Sequence, residues 1–333
     1  MHRSIDEWME YSNYVMSIAP NALTIGVDIG GTNMRAAVVD THGEILDRAA
    51  TLTPNSEDVL VDKLVALVNT LRDRHEIAAV GLAVAGFLDP DCTTVRFAPH
   101  LPWRDAPVRE IMTDRLQLPV RLEHDANSAA WGEYVFGQAR EAGTWVYFSV
   151  GTGIGATIMH RGEIFRGSFG MAPEFGHVTV VPGGRQCSCG KRGCLERYAS
   201  GTALADTVLE LADDCPEYRR SPLLHTASTG EEIMNAARDG DALGQAVVGE
   251  FARWLGIGLS FVADVIDPEL IVLGGGVVGN HDLFLPAADR VLRQSMVAAT
   301  HRPHPEVSVA KLGSAAGMVG VAHLSRYAEN FPN

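Results

Sequence analysis

No stretch of eighteen consecutive apolar residues occurs in the 333-residue sequence, so no membrane span is expected. The opening "MHRSIDEWMEYSNYVMSIAP" carries acids and lacks an uninterrupted apolar core, which argues against a secretory leader. Positive charge is scarce: 27 Lys and Arg face 41 Asp and Glu, for a net charge of -14. Non-specific binding to nucleic acid or an anionic membrane needs a basic surface, so neither partner is expected. A phosphate ligand is still compatible with an acidic shell, because glycine-rich backbone binds one locally. Cysteine is sparse and odd in number: Cys92, Cys187, Cys189, Cys194 and Cys215. Three within eight positions, in a chain with no expected leader, favour metal over disulfides and a cytoplasmic address.

What remains is a folded, soluble composition, 46% hydrophobic and 20% charged, long enough for two domains. Apolar Ile5, Trp8, Met9 and Val15 predict a short amphipathic helix over 4–16, within an N-terminal extension of residues 1–22. From residue 23, "LTIGVDIGGTNMRAAVVDTHGEIL" reads as strand, glycine turn, strand, and a turn at His42-Gly43. "WVYFSVGTGIGATIMHRGEIF", from 145, repeats the pattern and turns at Arg161-Gly162. Two copies predict two related α/β domains facing each other: a small one over 23–138 and a large one over 139–314. Helices are predicted at 57–73, 203–213, 230–238 and 241–265, with another in "ANSAAWGEYVFG" after the strand "VRLEHD". The alternation implies largely parallel or mixed sheets with helices on their faces.

Three glycine loops draw attention. None matches the Walker pattern, and in "GTGIGATIM" a strand rather than a helix follows the glycines, which disfavours a nicotinamide cofactor. A glycine turn between antiparallel strands presents backbone N–H groups as an anion nest. Gly30, Gly31, Thr32 and Asn33 form one candidate nest; Gly151, Thr152, Gly153 and Gly155 form the other. Together they would hold a polyphosphate between the domains. Gly274, Gly275 and Gly276, ending "LIVLGGG", would let an adenine-ribose group approach backbone. Asp28 beside the first nest would repel phosphate unless a cation intervened, which points to Mg²⁺.

"EFGHVTVVPGGRQCSCGKRGC", residues 174–194, raises a separate question. His177, Cys187, Cys189 and Cys194 give H-x9-C-x-C-x4-C, four ligands suited to one tetrahedral Zn²⁺. Four protein ligands leave no position for a reactive water, so the zinc would be a structural clip. Reduced core cysteines are the alternative; a Cys-x-Cys pair is poorly spaced for the usual redox motif. Glu174 and Glu196 flank the clip and would be fixed by it, though an exposed Glu ordinarily means only a solvated face. Asp125, between a strand and a helix, could simply be an N-cap.

Taken together, "DIGGTNMR", "EHDANSAAWGE", "GTGIG", "PEFGH", "CSCGKRGCLE" and "LGGG" resemble the ROK family of sugar kinases and sugar-responsive repressors, from about residue 23 to the C-terminus. Among its members the chain looks most like bacterial ATP-dependent glucokinases. The resemblance implies an actin-like ATPase fold of two RNase H-like α/β domains, with sugar and ATP in the cleft. It implies a last helix, over 315–333, returning to the small domain. It also implies Asp125 as the catalytic base; zinc on the His and Cys set; sugar contacts from Glu174, His177 and Glu196; and a homodimer or homotetramer. A sugar hydroxyl is too weak an acid for a carboxylate to ionise outright, so the base would accept the proton as the O–P bond forms. Where relatives often carry Asn, this chain has His124 and His100, both expected to line the sugar pocket with different hydrogen-bond geometry. Gly86 and Asp89 are placed to shape the pocket wall, with turn formation the alternative.

The expected activity is ATP- and Mg²⁺-dependent phosphorylation of glucose on its 6-hydroxyl. Kinases for N-acetylmannosamine, N-acetylglucosamine, fructose or mannose, and a polyphosphate-dependent glucokinase, share these motifs. A sugar-responsive repressor would need a DNA-binding domain ahead of residue 23. A glycoside hydrolase could use paired carboxylates but not three phosphate-type glycine loops.

Overall fold

The computed structural model describes residues 14–16, 18–225 and 228–329. Within them the chain forms two compact units. The first takes the described residues up to Gly143, Thr157–Pro173 and the described residues from Ala310 on; the second takes Thr144–Ala156 and the described residues of 174–309.

The first unit is built on a five-stranded sheet in the order Ile45–Leu52, Asn33–Val39, Leu23–Ile29, Ile77–Val84, Val120–His124. The first three strands are antiparallel, and the last two run parallel to Leu23–Ile29. Ile25, Val27 and Ile29 are fully buried, as a central strand covered on both faces requires. On one face the helix Glu57–Arg72 buries Leu60, Leu64, Val68 and Leu71, a helical spacing, and carries Glu57 and Asp58 where the helix dipole favours acids.

On the other face lies the helix Ala316–Leu324, whose Met318, Val319 and Ala322 pack with Ala37 and Val39. It sits so close that a Cβ on Gly26 would lie 1.9 Å from the Met318 carbonyl oxygen, and one on Gly81 2.1 Å from that of Val321. Its His323 Nδ1 accepts a 2.9 Å hydrogen bond from Trp131 Nε1. Burial, aided by the charge of Arg326, pushes His323 down to about 3.

The C-terminal helix that packs here is shorter than the expected 315–333. It stops at Leu324, and Tyr327–Glu329 is a strand paired antiparallel with Tyr14–Met16. The helix expected over 4–16 is therefore a strand at its end, and 4–13 lie outside the described residues. The boundary at 138/139 with an unbroken 139–314 also needs correcting. Residues 157–173 belong to the first unit, because Thr157 Oγ1 donates to Asn127 Oδ1 at 2.9 Å and Arg166 pairs with buried Glu123.

In the second unit, Thr144–Val150, Leu270–Gly274 and Glu306–Val309 form parallel pairs. Helices Gly201–Asp214, Gly230–Arg238, Ala242–Ile266 and His281–Ser295 complete it. Ala242–Ile266 is long and apolar enough to cross a membrane by composition, yet Leu243, Val247, Phe251, Leu255, Leu259 and Val262 are buried, which makes it a core helix. Phe251 meets Phe284 edge-on, ring centres 5.0 Å apart; fully burying such a ring is worth about 1.5–3 kcal/mol. The helix His281–Ser295 had no counterpart in the sequence reading, since Pro286 within it reads as a break.

Candidate functional site

In the first unit, the buried Val120–His124 strand passes directly into the helix Asp125–Val135. Asp125 is the first helical residue rather than the N-cap; His124 holds the cap position without a side-chain cap bond. Asp125 Oδ1 accepts from the Ala126 N–H at 2.8 Å and lies 3.3 Å from His124 Nδ1. Its side chain keeps 43% exposure, so a buried start to the helix still presents an accessible carboxylate.

The Gly30–Thr32 turn closes through the Gly30 N–H, which donates to the Asn33 carbonyl at 3.1 Å. Thr53 steadies it from outside, its Oγ1 donating to the Gly30 carbonyl at 2.6 Å and its N–H to that of Thr32 at 3.0 Å. Gly31 lies against His100: a Cβ there would be 2.6 Å from His100 Cβ, so phosphate-loop and sugar-pocket candidates meet in one unit. Asp28 pairs with Arg35 at 2.5 Å. Burial raises the Asp28 carboxyl, Arg35 opposes that, and the charge of Asp125 adds to it. A carboxylate that feels a second carboxylate suits a cation, and Arg35 supplies one positive charge beside it. Gly86 packs on Phe97 and Ala98, two residues before His100. Asp89 spends its carboxylate on its own loop, accepting from the N–H groups of Thr93 and Thr94 at 2.7 and 2.9 Å and from Thr93 Oγ1 at 2.6 Å. For Asp89, turn formation accounts for the residue.

In the second unit a cavity of about 950 Å³ is lined by Gly151, Thr152, Gly201, Thr202, Thr229 and Gly276, among others. The Gly201 N–H donates to the Gly151 carbonyl at 2.7 Å, and Thr202 Oγ1 to that of Thr152 at 2.9 Å. The helices Gly201–Asp214 and Gly230–Arg238 both begin at this cavity, and their N-terminal dipoles favour an anionic ligand. Gly201, Thr202 and Thr229 were not anticipated. The signal available was the cap residues Ser200 and Thr229, which look like any other helix start.

The third glycine run is redistributed. Gly274 is buried in its strand, where a Cβ would lie 1.9 Å from the Tyr147 hydroxyl, and Gly275 has φ +90° with a Cβ 2.4 Å from the Val150 carbonyl oxygen. These two serve internal packing; Gly276 lines the cavity. Gly153 is similarly reassigned. A Cβ on it would be 2.3 Å from Glu196 Oε2, the oxygen that accepts the Ile154 N–H at 2.8 Å. Gly155 lies in the strand beginning at Ile154, beyond the turn.

His177, Cys187, Cys189 and Cys194 converge, their ligand atoms all within 4.8 Å of one another. Cys189 and Cys194 sulfurs are 3.7 Å apart, far beyond a disulfide's ~2.05 Å. Gly193 permits the fold-back: at φ +79°, its Cβ would stand 1.6 Å from the Val181 carbonyl oxygen. Burial pushes the Cys194 thiol up to about 12, helped by the neighbouring thiols, so its thiolate is disfavoured unless a cation offsets the charge. Three thiols and an imidazole fit Zn²⁺. His177 turns Nδ1 toward Cys187 Sγ at 3.6 Å and Nε2 toward Glu174 Oε2 at 3.8 Å. The second carboxylate, Glu196, has Oε1 4.0 Å from Cys187 Sγ. The structure thus gathers Glu174, His177 and Glu196 around the clip, and Glu196 also holds the glycine loop.

Residues 24–328 match the model of the ROK family. The glucokinase of Streptomyces coelicolor is 41% identical over 309 residues, covering 91% of this chain and 98% of that protein. A ROK family glucokinase from Streptomyces griseus, solved in complex with glucose and AMPPNP, superposes with a TM-score of 0.83 at 41% identity, covering 91% of this chain and 99% of the other. The ROK hexokinase of Thermus thermophilus gives 0.72 at 32% identity, covering 91% and 97%.

Proposed function

The chain belongs to the ROK family, and from that premise we propose that it is an ATP-dependent glucokinase, transferring the γ-phosphoryl group of ATP to the 6-hydroxyl of glucose. Near full-length likeness to a glucokinase that holds glucose and a nucleotide analogue carries the reading.

In this reading Asp125 accepts the 6-hydroxyl proton as the O–P bond forms, its carboxylate exposed and oriented by the Ala126 N–H. His124 and His100 line the sugar side. Glu174, His177 Nε2 and Glu196 hydrogen-bond the sugar hydroxyls; ionised acceptors make bonds roughly twice as strong as neutral ones. The cavity at Gly151, Thr152 and Gly276 takes the nucleotide, with two helix N-termini facing its charge. Backbone N–H groups at Gly30–Thr32 orient the transferred phosphoryl group. Asp28 is the residue that would hold Mg²⁺, which when bound spreads the charge of the phosphoryl oxygens. His177, Cys187, Cys189 and Cys194 would hold Zn²⁺ with all four positions filled, giving rigidity rather than catalysis. The thiol set suits a reducing, cytoplasmic setting, and family resemblance supports a homodimer or homotetramer.

A coupled assay across hexoses and amino sugars, with ATP and polyphosphate as donors, tests the reading. The highest kcat/KM should fall to glucose with ATP. Preference for an N-acetylated sugar or for polyphosphate would overturn it.

A further inference from the structure

Glu123 is fully buried, two residues before Asp125, and takes no part in the chemistry above. Arg166 grips it with both terminal nitrogens, Nη2 to Oε2 at 2.7 Å and Nη1 to Oε1 at 3.3 Å. Arg121 Nη2 adds a 3.3 Å contact to Oε2. Burial works against this charge; the charges of Arg166 and Arg121, with donations from Asn127 and the His124 N–H, more than offset it and hold the carboxyl below the ordinary glutamate range.

The arrangement brackets Asp125. Glu123 Oε1 accepts from the backbone N–H of His124, immediately before Asp125, and from Asn127 Nδ2, two residues after it, both at 3.0 Å. Asn127 is itself held, its Oδ1 accepting from Thr157 Oγ1 at 2.9 Å. Arg166 is anchored in turn, because its carbonyl accepts the Ala172 N–H at 2.9 Å and closes the loop that carries it. A buried ion pair is weak evidence for stability, since apolar residues of similar volume often serve as well. What an apolar set could not do is aim the two donors that flank Asp125, the His124 N–H and Asn127 Nδ2, at one carboxylate.

We propose that Glu123 and Arg166 are positioning residues for phosphoryl transfer, their buried ion pair fixing the strand end and first helical turn from which Asp125 presents its carboxylate. The inference rests on the kinase reading of Asp125. Misplacing a reacting group by about 1 Å can cost on the order of 10²-fold in rate, whereas ground-state binding tolerates it.

The experiment compares Arg166→Met, Arg166→Lys and Glu123→Gln with the wild type by steady-state kinetics, glucose calorimetry and thermal melting. Arg166→Met should lower kcat about 10- to 100-fold, while the ATP KM and glucose Kd stay within about threefold. Arg166→Lys, which keeps the charge and loses the fork, should fall less, and Glu123→Gln at least as far as Arg166→Met. A folded Arg166→Met variant with kcat within about threefold of wild type would overturn the proposal. So would kcat and both binding constants worsening together with no recovery in Arg166→Lys. Should the Met and Gln variants not fold, Arg166→Lys decides alone: wild-type kcat overturns, a reduced kcat with unchanged binding supports. A wild type that does not phosphorylate glucose would sink the kinase reading itself, whereas variant results on an active wild type bear on the positioning role only.

Discussion

Asp125 heads a helix whose residues from Ala126 to Val135 are all buried, at the end of a strand inside a five-stranded sheet. Glu174 and Glu196 sit instead on a stretch whose regular structure is a 3-10 turn, Phe175–His177, and a single helical turn, Glu196–Ala199. In the proposed kinase both regions would have to hold a carboxylate still. The first does so with packed core and a buried ion network, which needs a whole unit around it. The second brings four candidate ligands within 4.8 Å, a set that the proposed zinc would turn into a cross-link with little core around it. Rigidity in the first should therefore respond to distant packing changes, and in the second to removal of one ion.

The most severe break in the comparison is at the proposed base, Asp125. Asp125→Asn keeps shape and removes the proton acceptor, so kcat should fall by about 10²–10⁴ with glucose binding retained in calorimetry. Lost glucose binding with surviving turnover would make Asp125 a binding group. Next comes the clip. One zinc per chain is expected by metal analysis, and Cys189→Ser or chelation should lower the melting temperature and raise the glucose KM. Structural zinc in finger peptides is worth about 10–16 kcal/mol, of which a large unit should feel a part; active protein free of zinc would refute the clip.

Glu174→Gln and Glu196→Gln sharpen the distinction between clip and ligand. A hydrogen bond to a charged group is worth about 1.5–3 kcal/mol, so each should raise the glucose KM roughly 10- to 150-fold, with zinc content full and the ATP KM nearly unmoved. Unchanged glucose KM in both would make them bystanders.

The smallest effect tests the packed side. His323 has a folded value of about 3 against an ordinary 6.5, so above pH 6.5 it contributes no pH dependence. As pH falls below 6.5 the unfolded chain takes up a proton that the folded chain refuses. Stability should then decline by up to about 1.4 kcal/mol per pH unit until pH approaches the folded value. His323→Gln should flatten the fall in melting temperature between pH 7 and 5.5; an equal slope in both proteins would show that the imidazole titrates freely.

The antiparallel pair of Leu23–Ile29 with Asn33–Val39 across the glycine turn, the helix Glu57–Arg72 and the convergence of His177 with three cysteines were all legible in the sequence. Each depends on neighbours within a strand, a helical turn or a short loop, where residue type and spacing act directly. The roles of Gly153, Gly274 and Glu123 were not legible. Gly153 makes room for Glu196, whose partner Ile154 is 42 residues away, and Gly274 makes room for Tyr147. Glu123 meets Arg166 across 43 residues, and a glutamate in a strand reads the same whether solvated or paired. The same long-range pairing drew 157–173 into the first unit against the order of the chain. Sequence by itself determined the local chemistry: glycine turns, apolar strands and a thiol-imidazole set at ligand spacing. The tertiary structure decided which glycines face a cavity and which charge is buried, because side chains far apart in the chain meet only once the core has packed.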